Sequence, residues 1–310
     1  MSQHHQARWG LFKICLAGVL WGTGGLGVQL IREHEPMSVV TISAWRMLLA
    51  AIALVAVVLA LRQQSAVLAL LRARPLRVVA VGTGTAMYQA FYFGSVVATG
   101  VTVSTVVSLG IAPVLLTVAD AVRARHRPRA TRLLVLAVAL LGLVLVSATS
   151  GSGETGPHPM LGVLLALGSG TAYAVATELG RPLAQVAGPL ALTTTTTTVG
   201  TLFLMPFGVV AALGDDRVAT TDPTAAVGLV YLGVVTMALA YGLLYAGLRT
   251  TTGSSAVIAT LLEPVTAAVA AALVLDERLG ALGVVGTLLI LAAVAGLGDE
   301  EEPVAVPPPA

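Results

Sequence analysis

Charge is scarce in this chain: only 10% of its residues are Asp, Glu, Lys or Arg, against about 25% in an ordinary soluble domain. The net charge is +2, and no basic patch interleaved with aromatics is present, so nothing points to a nucleic-acid partner. There is one cysteine, Cys15, which excludes an internal disulfide and a cysteine-built zinc cluster. The five histidines, at 4, 5, 34, 126 and 158, fall outside the long apolar stretches, so none there can activate a serine. Neither H-E-x-x-H nor G-x-S-x-G occurs. The residues therefore assign no catalytic group, no metal site and no cofactor. What fills the chain instead is apolar: 56% hydrophobic residues with a mean hydropathy of +0.92, a polytopic membrane composition.

A membrane span needs about 20 apolar residues. Ten stretches qualify, at roughly 11–31, 39–61, 78–97, 101–122, 133–149, 160–180, 190–213, 225–248, 253–275 and 281–298. Their apolar runs are continuous rather than alternating, which predicts helices and not barrel strands. Arg8 and Lys13 precede the first run, no small-residue cleavage site follows it, and more spans come after; the first run is therefore read as a retained helix. Residues 1–10 are expected to form a cytoplasmic N-terminus. Residues 299–310 end in EEPVAVPPPA, an acidic, proline-rich tail expected to be disordered.

The basic residues test the count. With the N-terminus in the cytoplasm, one side receives Arg8, Lys13, Arg62, Arg72, Arg74, Arg77, Arg123, Arg125, Arg127, Arg129, Arg132, Arg181 and Arg249. The other receives Arg32, Arg217 and Arg278, and Arg46 lies within a span. That bias predicts a multi-pass protein of the cytoplasmic membrane with both termini inside. A weak internal repeat agrees: Tyr92–Val114 reads YFGSVVATGVTVSTVVSLGIAPV and Tyr245–Val265 reads YAGLRTTTGSSAVIATLLEPV. Matching span 4 to span 9 leaves five spans in each half, 11–149 and 160–298. Because five is odd, the halves enter the membrane in opposite senses, a pattern typical of secondary transporters with a midplane site.

The chain resembles the drug/metabolite transporter superfamily, in its EamA-type branch of ten-helix carriers. The resemblance rests on Trp21-Gly22, on Pro36 with Trp45-Arg46, and on LLEPVTAAVAAALVLDERL at 261–279, and it covers about residues 12–298. In that family the last stretch reads as Glu-Pro, small residues, then a Glu before the final helix; here these are Glu263, Pro264 and Glu277. The first half departs from the pattern, with Ala112 and His126 where acids could stand. The resemblance implies a non-enzymatic exporter of a small metabolite, amino-acid-like or drug-like, coupled to protons and working by alternating access.

Glu263 is the focus of the expected site. A charge deep in a span is costly and is a functional candidate. Ten residues after Gly253, at about 1.5 Å each, it lies about 15 Å deep, near the midplane of a ~30 Å core. Pro264 lacks an N–H, so it is expected to strain the helix and free the carbonyl of Thr260. Arg46 lies about 11 Å deep by the same reckoning. Two readings of Glu263 stand side by side: a fixed ion pair with Arg46 that locks two helices, or a protonatable centre of transport.

Trp21 and Tyr88 lie near mid-depth, and together with Tyr92 they are expected to wall a cavity, with Tyr241 a further candidate. Thr260, Thr105 and Ser108 are candidate polar lining, set against plain helix-to-helix hydrogen bonding. Pro264, Pro113, Gly22 and Gly24 are candidate hinge positions. Asp120 and Glu178, each near the end of its helix and three residues before an arginine, are expected to reach water or to pair locally. Gly22, Gly24 and Gly27 spell G-x-G-x-x-G, but no strand precedes them, so no dinucleotide site is expected. Gly296-Leu297-Gly298-Asp299 resembles an intramembrane protease motif without a second facing aspartate. Small residues such as Ala292 and Gly296 are compatible with a homodimer and equally with ordinary packing. Beyond the bilayer and a small-molecule substrate, no partner is indicated. Two alternatives remain open: a non-transporting sensor or assembly component, and an importer of a nucleotide-sugar-like or cofactor substrate.

Overall fold

With no water in hydrocarbon to hydrogen-bond, the backbone must satisfy its own polar groups, and helices do this within one segment. The structure, a computed structural model, describes residues 3–149, 157–214, 217–274 and 280–300. Glu277, Arg278 and the tail from 301 onward lie outside the described residues. Among the described residues every regular element is helical. The first half consists of α1 (Gln3–Gly22), α2 (Gly24–His34), α3 (Val39–Ala60), α4 (Gln64–Ala73), α5 (Pro75–Thr99), α6 (Val101–Ala124) and α7 (Ala130–Thr149). The second half begins with α8 (Pro159–Val186), α9 (Pro189–Leu213) and α10 (Pro223–Gly233), which runs through a π-helical turn, Val234–Leu239, into α11 (Ala240–Leu248). It ends with α12 (Gly253–Ala259), α13 (Leu262–Val274) and α14 (Ala281–Glu300).

Each of the ten expected stretches is helical over most of its described length, but among the described residues eight helical segments are long and apolar enough to cross a membrane. The other two differ for separate reasons. Helix α5 has 25 residues, but Thr83, Thr85, Tyr88, Gln89 and Tyr92 dilute its apolar run. In α14 the apolar part is the short Ala281–Leu297. Helix α1 begins at Gln3, so residues expected to precede the first span already belong to its helix. Helix α4 was not anticipated; it is a short helix ending at Arg72-Ala73, between α3 and α5.

Local chemistry sets the boundaries. Pro75, Pro159, Pro189 and Pro223 open α5, α8, α9 and α10, where their missing N–H costs nothing. Ser38, Asp222 and Thr252 cap α3, α10 and α12 by accepting from Thr41, Ala225 and Ser255 amides. Gly100, with φ of 94°, makes the tight α5–α6 turn that an L side chain would strain. The run of six threonines at 193–198 satisfies itself locally: Thr193, Thr194, Thr195 and Thr196 each donate to a carbonyl four residues back at 2.7 to 2.9 Å.

Small residues let the helices approach. A Cβ on Gly142 of α7 would stand 2.7 Å from the Gly286 carbonyl of α14, and the converse distance is also 2.7 Å. Gly296 likewise faces Val135 of α7. Gly296 therefore packs inside its own chain, and α14 runs antiparallel to α7. The two ends of the bundle are chemically distinct. One carries the arginine-rich ends of α6, α7 and α8 with the start of α12; Thr250 there donates to the Gln6 carbonyl of α1. At the other end Glu35 holds Arg217 (2.9 Å) and Thr220 (3.0 Å), and Trp45 donates to the Val218 carbonyl at 2.6 Å.

Candidate functional site

Two of the membrane-length helices are broken near their middles. The first pass breaks at Thr23, between α1 and α2; Thr23 donates to the Leu20 carbonyl at 2.7 Å and pairs with the Tyr231 hydroxyl at 2.6 Å. The ninth stretch breaks at Thr260-Leu261, between α12 and α13. The two breaks touch. A Cβ on Gly18 would lie 3.2 Å from the Thr260 Cα, and one on Gly22 would strike the Glu263 carbonyl and lie 2.6 Å from Thr266 Cβ. Glycine at 18 and 22 is therefore what lets α1 press against the α12–α13 junction. The expected free carbonyl at Thr260 is not free. Pro264 has no N–H to offer it, so the turn tightens and the Glu263 amide donates to Thr260 O at 2.9 Å. Helix ends commonly resolve orphan carbonyls this way.

Beside this junction is a cavity of about 260 Å³. Glu263 and Pro264 line it, together with Trp21, Gly22, Gly24, Arg46, Tyr88 and Tyr92. With Tyr241 and Thr105, ten residues singled out in the sequence thus converge on one space. Tyr241, Thr105, Gln89 and Ser147 also face it. The cavity extends toward the end bearing Glu35 and Gly100, as lining by Val28, Val101 and Thr102 indicates. No lining residue comes from the arginine-rich end.

Aromatic rings form its floor. Trp21 meets Tyr241 edge-on at 5.1 Å between centroids and Tyr173 at 6.4 Å, and Tyr173 lies 5.0 Å from Tyr88. Edge-to-face and offset rings at these separations are favourable beyond their buried area. Tyr173, which sequence reasoning passed over, is the hub: it is 5% exposed, packs with Ala112, Leu116 and Val257, and pairs with the Thr260 hydroxyl at 3.2 Å. Its signal was present, a lone tyrosine midway along an apolar stretch.

Three candidates do not reach the cavity. Thr260 is buried and spends its hydroxyl on the Val257 carbonyl at 2.8 Å and on Tyr173. Ser108 pairs with Ser169 at 2.8 Å, and Ser169 with the Tyr88 carbonyl at 2.9 Å; this is helix-to-helix bonding between α6 and α8. Pro113 is buried inside an uninterrupted α6. Thr105 does face the cavity, paired with the Tyr92 hydroxyl at 2.9 Å.

Arg46 and Glu263 share the cavity without a salt bridge between them. Arg46 Nη2 donates instead to the Thr236 carbonyl, at 3.1 Å, within the π-helical turn. Such turns shift the backbone hydrogen bonds by one residue and are frequent at functional sites. The Glu263 carboxylate is half-buried and has no hydrogen-bond partner among the described residues. Several other polar atoms at the cavity are buried and unpaired: Trp21 Nε1, Arg46 Nε, both amide atoms of Gln89 and Ser147 Oγ.

At the arginine-rich end, polar bonds cross-link the helices. Ser254 of α12 donates to Asp120 of α6 at 2.5 Å, and Arg132 of α7 donates to Ser254 at 2.6 Å and Ser255 at 3.1 Å. Arg123 pairs with Glu178 of α8, and Arg181 donates to the Thr251 carbonyl at 3.2 Å. The expected local pairing of Asp120 with Arg123 and of Glu178 with Arg181 is thus replaced by bonds between helices. The two acids sit where neighbouring helices come closer than the next turn of their own.

Comparison with known proteins places this arrangement in context. The model of the EamA-like transporter family matches the chain twice, at residues 8–148 and 160–298. The uncharacterized transporter YwfM of Bacillus subtilis (strain 168) is 28% identical over 215 residues, 67% of this chain and 70% of that protein. One crystal structure superposes with a TM-score of 0.75 over 93% of this chain and 96% of its own, at 18% identity; that likeness speaks for the fold alone.

Proposed function

The chain belongs to the EamA-like transporter family, and from that premise we propose that it is a secondary active carrier of a small organic solute, amino-acid-like or drug-like. In this reading ten helices form two inverted halves, and both termini face the cytoplasm. The solute moves outward across the cytoplasmic membrane by alternating access, coupled to protons. One observation carries the reading: Glu263 lies at a broken helix on a cavity that extends toward one end of the bundle, while hydrogen bonds join the helices at the other. A deep acid beside a discontinuous helix is a recurring way to build a transport site.

The non-transporting alternative required Glu263 closed in a salt bridge and no path. Its position on the cavity without such a bridge favours the carrier. An importer of nucleotide-sugar-like anions wants a basic cavity, and here the one arginine of the lining is balanced by Glu263. Glu263 takes the role of proton carrier because it is the acid that lines the cavity; Arg46, held on the Thr236 carbonyl, sets the local field. The test is pH-gradient-driven counterflow of pooled metabolites in liposomes. Glu263→Gln is expected to abolish gradient-driven flux, and unchanged flux from a folded variant overturns the role.

A further inference from the structure

Gln89 has no explanation in the fold. It is the one glutamine of α5, it is 4% exposed, and neither its Nε2 nor its Oε1 has a hydrogen-bond partner. Leaving such groups buried and unpaired carries a desolvation penalty, which leucine or methionine at the same place would avoid. Its neighbours are otherwise committed: Thr85 one turn earlier donates to the Val81 carbonyl at 2.9 Å, and the Tyr88 carbonyl accepts from Ser169. Gln89 lines the same cavity as Glu263, and so does Ser147 of α7, also 4% exposed with an unpaired hydroxyl.

We propose that Gln89 is a specificity-determining residue that reads a neutral, amide-like group of the substrate, with Ser147 a second polar group on the same cavity. This deepens, and rests on, the carrier reading above. A carboxamide, lactam or ureide presents one acceptor and one donor in a plane, the complement of the Gln89 amide, and satisfies both of its atoms. A carboxylate satisfies only Nε2 and sets its own oxygen against Oε1. The substrate class that fits the whole cavity therefore has three parts. A cationic amine faces the Glu263 carboxylate, an apolar or aromatic body lies against Trp21, Tyr88 and Tyr92, and a neutral amide meets Gln89. Trp21 and the tyrosines give such a body flat apolar faces and attract the amine through their ring quadrupoles.

Three probes separate these parts: L-phenylalaninamide, phenethylamine, which lacks the amide, and L-phenylalanine, which replaces it with a carboxylate. Binding to the purified full-length protein is measured by quenching of its tryptophan fluorescence. Two net hydrogen bonds to neutral groups are together worth roughly a tenfold preference. The wild type is expected to bind L-phenylalaninamide about tenfold more tightly than phenethylamine, and more tightly than L-phenylalanine. Gln89→Leu and the near-isosteric Gln89→Met are expected to erase that preference while leaving phenethylamine affinity within about twofold; a purely structural glutamine would shift all three probes together. No preference in the wild type, retention of the preference in a folded Gln89→Met variant, or binding of none of the probes overturns the assignment. If the preference depends on Gln89 but Glu263→Gln leaves gradient-driven flux unchanged, the proton-coupled reading falls and the amide subsite stands.

Discussion

Ser254 is a small side chain on which a large conformational difference is expected to turn. It sits at the start of α12, donates to Asp120 at 2.5 Å and accepts from Arg132 at 2.6 Å, so one hydroxyl joins α6, α7 and α12. Hydrogen bonds to charged groups contribute about 1.5–3 kcal/mol each. Their sum is discounted below its low end, because Asp120 and Arg132 are half-buried and Arg132 keeps its 3.1 Å bond to Ser255. Ser254→Ala should then weaken the closed arrangement of this end by about 2 kcal/mol, roughly a 30-fold shift toward opening. The readout is a single cysteine in a Cys15→Ser background. Thr117 is 5% exposed, lies on α6 just inward of Asp120, and has an unpaired hydroxyl, so Thr117→Cys disturbs little. Its modification by a charged maleimide, in vesicles exposing the arginine-rich end, is predicted to accelerate by roughly 30-fold when Ser254→Ala is added. A rate within threefold of the parent, with melting temperature unchanged, would refute the idea that this network holds the end closed.

Two further outcomes follow from packing. Gly142→Leu places a side chain where even a Cβ would stand 2.7 Å from the Gly286 carbonyl and 2.8 Å from Ile290 Cγ1; α7 and α14 must part, and thermal stability measured in detergent should fall by about 1–3 kcal/mol. Tyr173→Phe removes the 3.2 Å link to Thr260 but keeps the ring stack, so stability should drop by only about 0.5–1.5 kcal/mol, and a loss as large as that of Tyr173→Ala would show that the ring, not the hydroxyl, was misjudged.

Much of the fold was legible because hydrocarbon imposes few solutions. A continuous apolar run near membrane thickness reads as a helix, and alternation of Arg-rich and Arg-poor connections orders the ends. The bonds Thr250 to Gln6 and Arg132 to Ser254 do bring those Arg-rich connections together. Composition failed where polarity concentrates for a reason. Helix α5 carries Tyr88, Gln89 and Tyr92 on the cavity, and the same residues lower its hydropathy. Helix α4 was missed because ten residues are too few to register as a span.

The site was legible only as far as single residues announce themselves. Glu263, Arg46 and Trp21 are conspicuous in apolar surroundings. What a hydroxyl does depends on its neighbour: Thr105 and Ser108 lie three residues apart on one helix, yet Thr105 meets Tyr92 at the cavity and Ser108 meets Ser169 in the α6–α8 seam. The prolines make the same point with more consequence. Pro113 and Pro264 match in the internal repeat and were expected to loosen their helices alike, but α6 runs on through Pro113 while α12 and α13 part before Pro264. A proline removes one hydrogen bond and crowds one carbonyl, which a continuous helix can absorb by bending slightly. Opening needs the freed turn to be held elsewhere. At Thr260 it is held: the Glu263 amide takes the carbonyl, Tyr173 takes the hydroxyl, and Gly18 and Gly22 admit α1 against the junction. The break therefore belongs to a packing arrangement spread over α1, α8 and α12. The short helix α12 spans the distance between that break and the Ser254 network, so about two turns of helix join the junction beside the acid to the bonds that link the helices at the opposite end.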